Sequence, residues 1–140
     1  MYQKYVTIPD NIWMASQPVS FTVSVSPTDT VSYYDVFINV RNTDSYDFSN
    51  LYLFVDITNP AHVTERDTFE CPLAMESGKW LGHGLGDIWD NKIRFIEDKR
   101  FGKGDYTFTF TQAMRVDKLP AIMDMGLTIE KSPPSRPKTN

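Results

Sequence analysis

Two histidines, His62 and His83, could join Asp67, Asp87 or Asp90 as metal ligands, since imidazole and carboxylate are ordinary partners for zinc. Their spacing argues against it. They are far apart in the chain, with no i, i+2 or i, i+4 pairing, and the lone cysteine, Cys71, rules out a cysteine cage. The acidic run "DIWDNKIRFIED" lacks the D-x-[DN]-x-[DN]-G loop that seats calcium, so no metal is expected. Two pairs of acids, Glu97 with Asp98 and Glu65 with Asp67, could be imagined as acid and base. Neighbours i and i+1 on a strand point to opposite faces, so Glu97 and Asp98 cannot easily share a substrate. Cys71, in "DTFECPLAM" with no histidine near it in sequence, reads as a buried packing residue. No G-x-S-x-G elbow and no Ser-His-Asp order is present. Neither an enzyme nor a cofactor is expected.

The stretch "ESGKWLGHGLGDIWD" gathers Gly78, Gly82, Gly84 and Gly86 around Trp80 and Trp89. A phosphate loop would need a Lys-Ser/Thr pair after its glycines, and none follows. The glycines are therefore expected to supply positive φ in a wide connection whose tryptophans cover an edge or end of the fold. Three tryptophans and seven tyrosines are also more than many cores of this size need. Planar rings left at the surface would stack on sugars or anchor a protein partner.

The elements that position these residues show a period of two. "SFTVSVS" alternates Phe21, Val23 and Val25 with Ser and Thr, and "YTFTFTQ" alternates Tyr106, Phe108 and Phe110 with threonines, as half-buried strands require. "YYDVFINVRN" and "NLYLFVDIT" carry apolar residues at the intervening positions as well, Phe37, Tyr52 and Phe54 among them. That marks them as central strands, covered on both faces at some positions. Further strand-like runs are "TFECPLAM", "IWDNKIRFIED" and "DMGLTIEK", with the turn-rich "NTDSYDFSN" between two of the others. "VDKLPAIMDMG" and "ECPLAMES" are the best helical candidates, and Pro120 and Pro72 break them. About seven or eight strands imply an all-β protein, an antiparallel β-sandwich with jelly-roll-like or immunoglobulin-like connections. One domain is expected over residues 1–131, followed by a proline-rich tail, residues 132–140, that is extended or mobile.

The composition agrees with a folded, non-nucleic-acid-binding domain. Of 140 residues, 41% are hydrophobic and 14% aromatic, enough to offset the entropy of ordering by burial. The net charge of −4, with dispersed cations, leaves no footprint for nucleic acid. The start, "MYQKYVTIPDN", has neither the basic nor the apolar part of a signal peptide.

Taken in order, "YYDVFINVRN", "YDFSNLYLFV", "DTFECPLA", "GKWLGHGLGDI", "GDYTFTFTQAMR" and "GLTIEK" resemble the gliding-motility-associated lipoprotein H (GldH) family of Bacteroidetes. The similarity spans Trp13 to Lys131. The resemblance implies a non-enzymatic lipoprotein of the cell envelope, anchored in a membrane, the outer one by expectation, and facing the periplasm. It implies an accessory or scaffolding part in gliding motility or type IX secretion, with other envelope proteins as partners. It also places "MYQKY" just after a lipidation site. In the family pattern Gly78, Trp80, Leu81, Gly82, Gly84, Gly86 and Asp87 share one motif, and "QAMR" supplies Arg115 from another. The expected docking surface is Trp80, Gly82, His83, Gly84, Gly86, Asp87, Trp89 and Arg115, in which Asp87 and Arg115 could pair across two strands. A carbohydrate-binding module using the same aromatics is the alternative.

Overall fold

The computed structural model describes residues 1–134. Its elements are β1 (Tyr2–Thr7), β2 (Ile12–Met14), β3 (Val19–Val25), β4 (Tyr34–Thr43), β5 (Asn50–Thr58), β6 (Thr64–Pro72), β7 (His83–Leu85), β8 (Ile88–Lys99), β9 (Gly104–Gln112), β10 (Lys118–Pro120) and β11 (Ile122–Lys131). Two 3-10 turns, Pro9–Asn11 and Pro27–Val31, are the only helical pieces among the described residues. The run over residues 116–126, a helical candidate that Pro120 breaks, forms β10 and the start of β11.

All strand pairs are antiparallel. One sheet runs β1-β11-β4-β8-β7, a second β3-β9-β5-β6, and β2 with β10 forms a small ribbon. With the three-residue strands set aside, a nested order appears. The first long strand pairs with the last (β1 with β11), the second with the last but one (β3 with β9), then β4 with β8 and β5 with β6. A long double ribbon wrapped into two layers in this way is a jelly roll, which decides between the two connectivities the sequence left open.

The period-two pattern fills the gap between the layers. β3 buries every second residue from Val19 to Val25, and β9 buries Tyr106, Phe108, Phe110 and Gln112. Opposite them lie Val36, Ile38 and Val40 of β4 and Met125, Leu127 and Ile129 of β11. The β2–β10 ribbon sets Trp13 against Leu119 in register, both fully buried, and so closes one region of the core. The Trp13 indole N–H donates to the Gln17 carbonyl at 2.9 Å, which satisfies its one polar atom.

The outer face of the five-stranded sheet is covered by its own charges. Phe37 is buried there because the Lys92 ammonium and Arg94 guanidinium lie over its ring, at 4.5 and 5.8 Å from its centroid. Arg41 sits between Asp90 and Asp124, 3.7 Å from each, and Lys92 reaches Glu130 at 3.0 Å. The chain stays tied down past Lys131: the Ser132 hydroxyl donates to Asp35 Oδ1 at 2.9 Å, so the segment proposed as a loose tail is held at its first residue. Residues 135–140 of that tail lie outside the described residues.

Phe108 is fully buried at the centre of the four-stranded sheet. Truncating it in Phe108→Ala should lower the unfolding free energy by about 3–5 kcal/mol in urea titrations. A loss below about 1 kcal/mol would contradict the inner-face assignment.

Candidate functional site

The glycine-tryptophan stretch closes the edge of the sandwich where the chain passes from β6 in one layer to β8 in the other. The passage begins at Leu73, fully buried, and folds into a tight turn in which Met75 N–H donates to Lys79 O at 2.8 Å and Gly78 N–H to Met75 O at 2.9 Å. It returns with Trp80 bridged to Ala74 and Leu81 N–H bonded to Leu73 O. β7 then pairs with the start of β8 through a two-residue turn, Gly86 and Asp87, in which Gly86 has φ +68° and Asp87 is not in the left-handed region. Glycine first and an ordinary residue second is the type II′ hairpin, whose twist matches that of the strands.

The other two glycines answer to a different constraint. A Cβ on Gly84 would come within 2.7 Å of the Trp89 ring, and one on Gly82 within 2.7 Å of Asn91 Oδ1 and 2.8 Å of the Asp90 carbonyl. Close approach of β7 to β8, not positive φ, is what they permit. Beneath them the Trp80 and Trp89 rings stack, centroids 6.5 Å apart and planes 28° apart. The Trp89 indole N–H donates to Asp44 Oδ1 at 2.6 Å, and the Asp44 N–H donates to the Asp87 carbonyl at 3.0 Å, tying the hairpin to the β4–β5 loop. Below the stack, buried Asn91 donates through Nδ2 to Val40 O and Asn42 Oδ1, both at 3.0 Å. Both tryptophans are half-buried and face one another, so their area serves chiefly to seal the edge. The exposed part of the expected surface is its rim: His83, Gly84, Gly86 and Asp87, flanked by Leu81 and by Leu85, which is 61% exposed.

Arg115 is placed elsewhere. It lies in the loop after β9, and no ion pair joins it to Asp87 among the described residues. Buried Gln112 shapes that loop: its Nε2 donates to Val116 O at 2.8 Å and its Oε1 accepts from Met114 N–H at 2.9 Å. Tyr52 O accepts from Ala113 N–H at 2.8 Å. This folds Met114, Arg115 and Val116 back over the outer face of β5, where Tyr52 and Phe54 point outward. The result is an open groove of about 540 Å³ lined by Phe48, Tyr52, Phe54, Met114, Arg115 and Val116. Tyr52 is 40% exposed, and Phe48 and Val116 are each 38% exposed. The signal for this groove was in "NLYLFVDIT", which is apolar at both parities. Arg66 of β6 lies over the Phe54 ring at 4.7 Å from its centroid, while Tyr52 keeps only the loop beside it.

The remaining candidates do not converge. His62 occupies a turn with φ +63°, held by Asn59 Oδ1, which accepts from the N–H groups of Ala61 and Val63. No group of three or more His, Cys, Asp or Glu able to hold a metal occurs among the described residues. Cys71 is fully buried on β6, and burial pushes its thiol from the ordinary value near 9.0 up to about 12. Glu65 and Asp67 share the inner face of β6 but stay exposed at its free end, with nothing to exclude water from them. Among the described residues, no helix is long and apolar enough to cross a membrane.

These features define a class: a jelly-roll domain with its core packed between two antiparallel sheets and with apolar side chains exposed on the outer face of the four-stranded one. A sequence profile of the GldH lipoprotein family matches residues 1–129. The chain is 34% identical over 140 residues to "Gliding motility lipoprotein GldH homolog" of Christiangramia forsetii, covering 94% of this chain and 84% of that one. It is 33% identical over 138 residues to "Gliding motility lipoprotein GldH" of Flavobacterium johnsoniae, with the same coverage of 94% and 84%. The chain belongs to the GldH lipoprotein family. A chain from the structure of infectious bursal disease virus, Gx strain, aligns over 96% of this chain and 30% of its own length at 11% identity. Its TM-score of 0.31 is too low to carry an argument.

Two outcomes test the site geometry. Gly84→Ala should push β7 off the Trp89 ring, cost about 1–3 kcal/mol and weaken the near-ultraviolet signal of the coupled indoles. An unchanged signal would mean that the rings do not depend on the glycine. Because the Cys71 thiol is raised by burial, its contribution to stability is complete below about pH 9 and fades as pH climbs towards 12. Cys71→Ala should therefore flatten part of the alkaline loss of stability seen in melts, and identical pH profiles would contradict the burial.

Proposed function

We propose that this chain is a non-enzymatic, periplasm-facing lipoprotein domain that serves as an accessory or scaffolding component of the gliding-motility or type IX secretion machinery and works by docking to envelope proteins. Family membership and the relatives named for gliding motility support the setting. The observation that carries docking is the Arg115 groove: aromatic and aliphatic side chains left open on a sheet face, with a guanidinium at the margin that forms no ion pair among the described residues. Rings beside an Arg are the composition of interface hot spots. The half-exposed hairpin rim at Leu81 and Leu85 is a second apolar contact.

Burial also bears on the anchor. Cys71 is the sole cysteine of these 140 residues and is fully buried, so it cannot carry a lipid without unfolding the sheet. A lipid anchor on this domain would therefore not be attached at Cys71. Sugar binding remains the second reading, now through Tyr52 and Phe48, since Trp80 and Trp89 face each other.

The test is an in-cell crosslinking pull-down with the lipidated protein and the variant Tyr52→Ala/Arg115→Glu, whose changes are exposed and should shift melting little. Specific envelope proteins recovered with the native chain and lost with the variant are the expected result. The same proteins from both would move docking off the groove, and glycan alone would move the sugar reading first.

A further inference from the structure

The inner face of β6 changes character along its length. Its register with β5 sets Cys71 opposite Leu51, Phe69 opposite Leu53, Asp67 opposite Val55 and Glu65 opposite Ile57. One face therefore runs from two apolar residues to two carboxylates. At the apolar end the layers are sealed, with Phe69 edge-on to Phe95 of β8 at 5.0 Å. Towards the acidic end they part, leaving a cleft of about 430 Å³ with an apolar floor that includes Ile57, Ile96 and Phe108, and with Glu65 and Asp67 on one lip. Lys99, on the other lip, lies over the Phe101 ring at 5.7 Å. The ion pairs among the described residues involve neither carboxylate and not Lys99.

β6 is also an edge strand: it pairs with β5 alone, so every second residue turns its N–H and C=O outward to a vacant side. Inward-facing acids on such an edge repel apolar and acidic strands, which protects against indiscriminate pairing. The same charges favour a strand with cations in the matching places. Residues directly opposite across an antiparallel pair have Cβ atoms about 4.5–5.5 Å apart, so cations opposite Glu65 and Asp67 must be spaced at i and i+2. Lysine or arginine stems would cover the apolar floor while their heads reach the carboxylates. The net charge of −4 steers in the same direction.

We propose that the open edge of β6 accepts an extended segment of a partner protein bearing two basic residues separated by one residue, its backbone continuing the sheet and its cations entering the cleft against Glu65 and Asp67. This surface is distinct from the Arg115 groove, and the proposal stands or falls separately from that reading.

The experiment titrates the full chain, followed by amide NMR and hydrogen exchange, with a short Thr/Val-rich peptide whose two lysines are separated by one residue. The control is its isomer with the lysines adjacent. The spaced peptide should shift and protect amides of β6 and bind about fivefold or more tightly than the isomer. Glu65→Gln/Asp67→Asn, with an unchanged melt, should abolish that preference, whereas Arg115→Glu should leave it intact. Equal binding of the two isomers, protection away from β6, or no response at millimolar peptide would each overturn the proposal. Displacement of the peptide by a simple diamine at equal concentration would do so too, by showing that the backbone contributes nothing.

Discussion

A two-layer sandwich is held by one dry interface, and that interface has open sides wherever the strands of the two layers do not meet. Everything else here depends on how the side between β6 and β8 is closed. A jelly roll must carry its chain across that side, from β6 in one sheet to β7 and β8 in the other. The crossing stretch is therefore obliged to be both connection and cork. Its tryptophans supply the apolar area, and its glycines let the backbone lie close enough for the rings to seat. Asp44 and Asn91 meet the polar atoms that this arrangement would otherwise strand.

Along the same side the closure weakens step by step, from the Trp80–Trp89 stack to the Phe69–Phe95 pair to the open cleft at Asp67 and Glu65. The core is thus protected where the chain crosses and accessible where it does not. On the outer faces the two layers differ in kind. The five-stranded sheet covers Phe37 with its own cations, while the four-stranded sheet leaves Tyr52 and Phe48 to solvent beside Arg115. A protein that needed only to fold would gain by covering those rings as well. Their exposure is the feature on which the proposed docking rests.

Much of this was legible in the chain. Alternation in "SFTVSVS" and "YTFTFTQ" gives β3 and β9 directly, because a half-buried strand has no other way to sort its residues. Phe37 and Tyr52 had the same local signature, yet one is covered and the other is not, since the cover comes from β8 in one case and nothing supplies it in the other. β1 went unread because its side chains do not alternate cleanly, and β2, β7 and β10 are too short to show a period. The glycine cluster was placed correctly at an edge, but for half of it the wrong property was invoked: Gly82 and Gly84 are small, not left-handed. The separation of Arg115 from Asp87 could not be read at all, because it depends on which layer each loop leaves. The shared face of Glu65 and Asp67 was available from their i, i+2 spacing once the strand was known to extend back to Thr64.

Membership of the GldH lipoprotein family gives this architecture its setting, and the central claim is that the exposed rings of the four-stranded sheet meet another protein there. The most direct measurement is site-specific photocrosslinking in intact cells. A photoreactive residue would replace Tyr52 in the groove or, as a control on the outer face of the same sheet, Thr22 of β3. Discrete protein adducts from position 52 with none from position 22 are the predicted result. Matching adducts from both positions, or none from either, would contradict docking through this face.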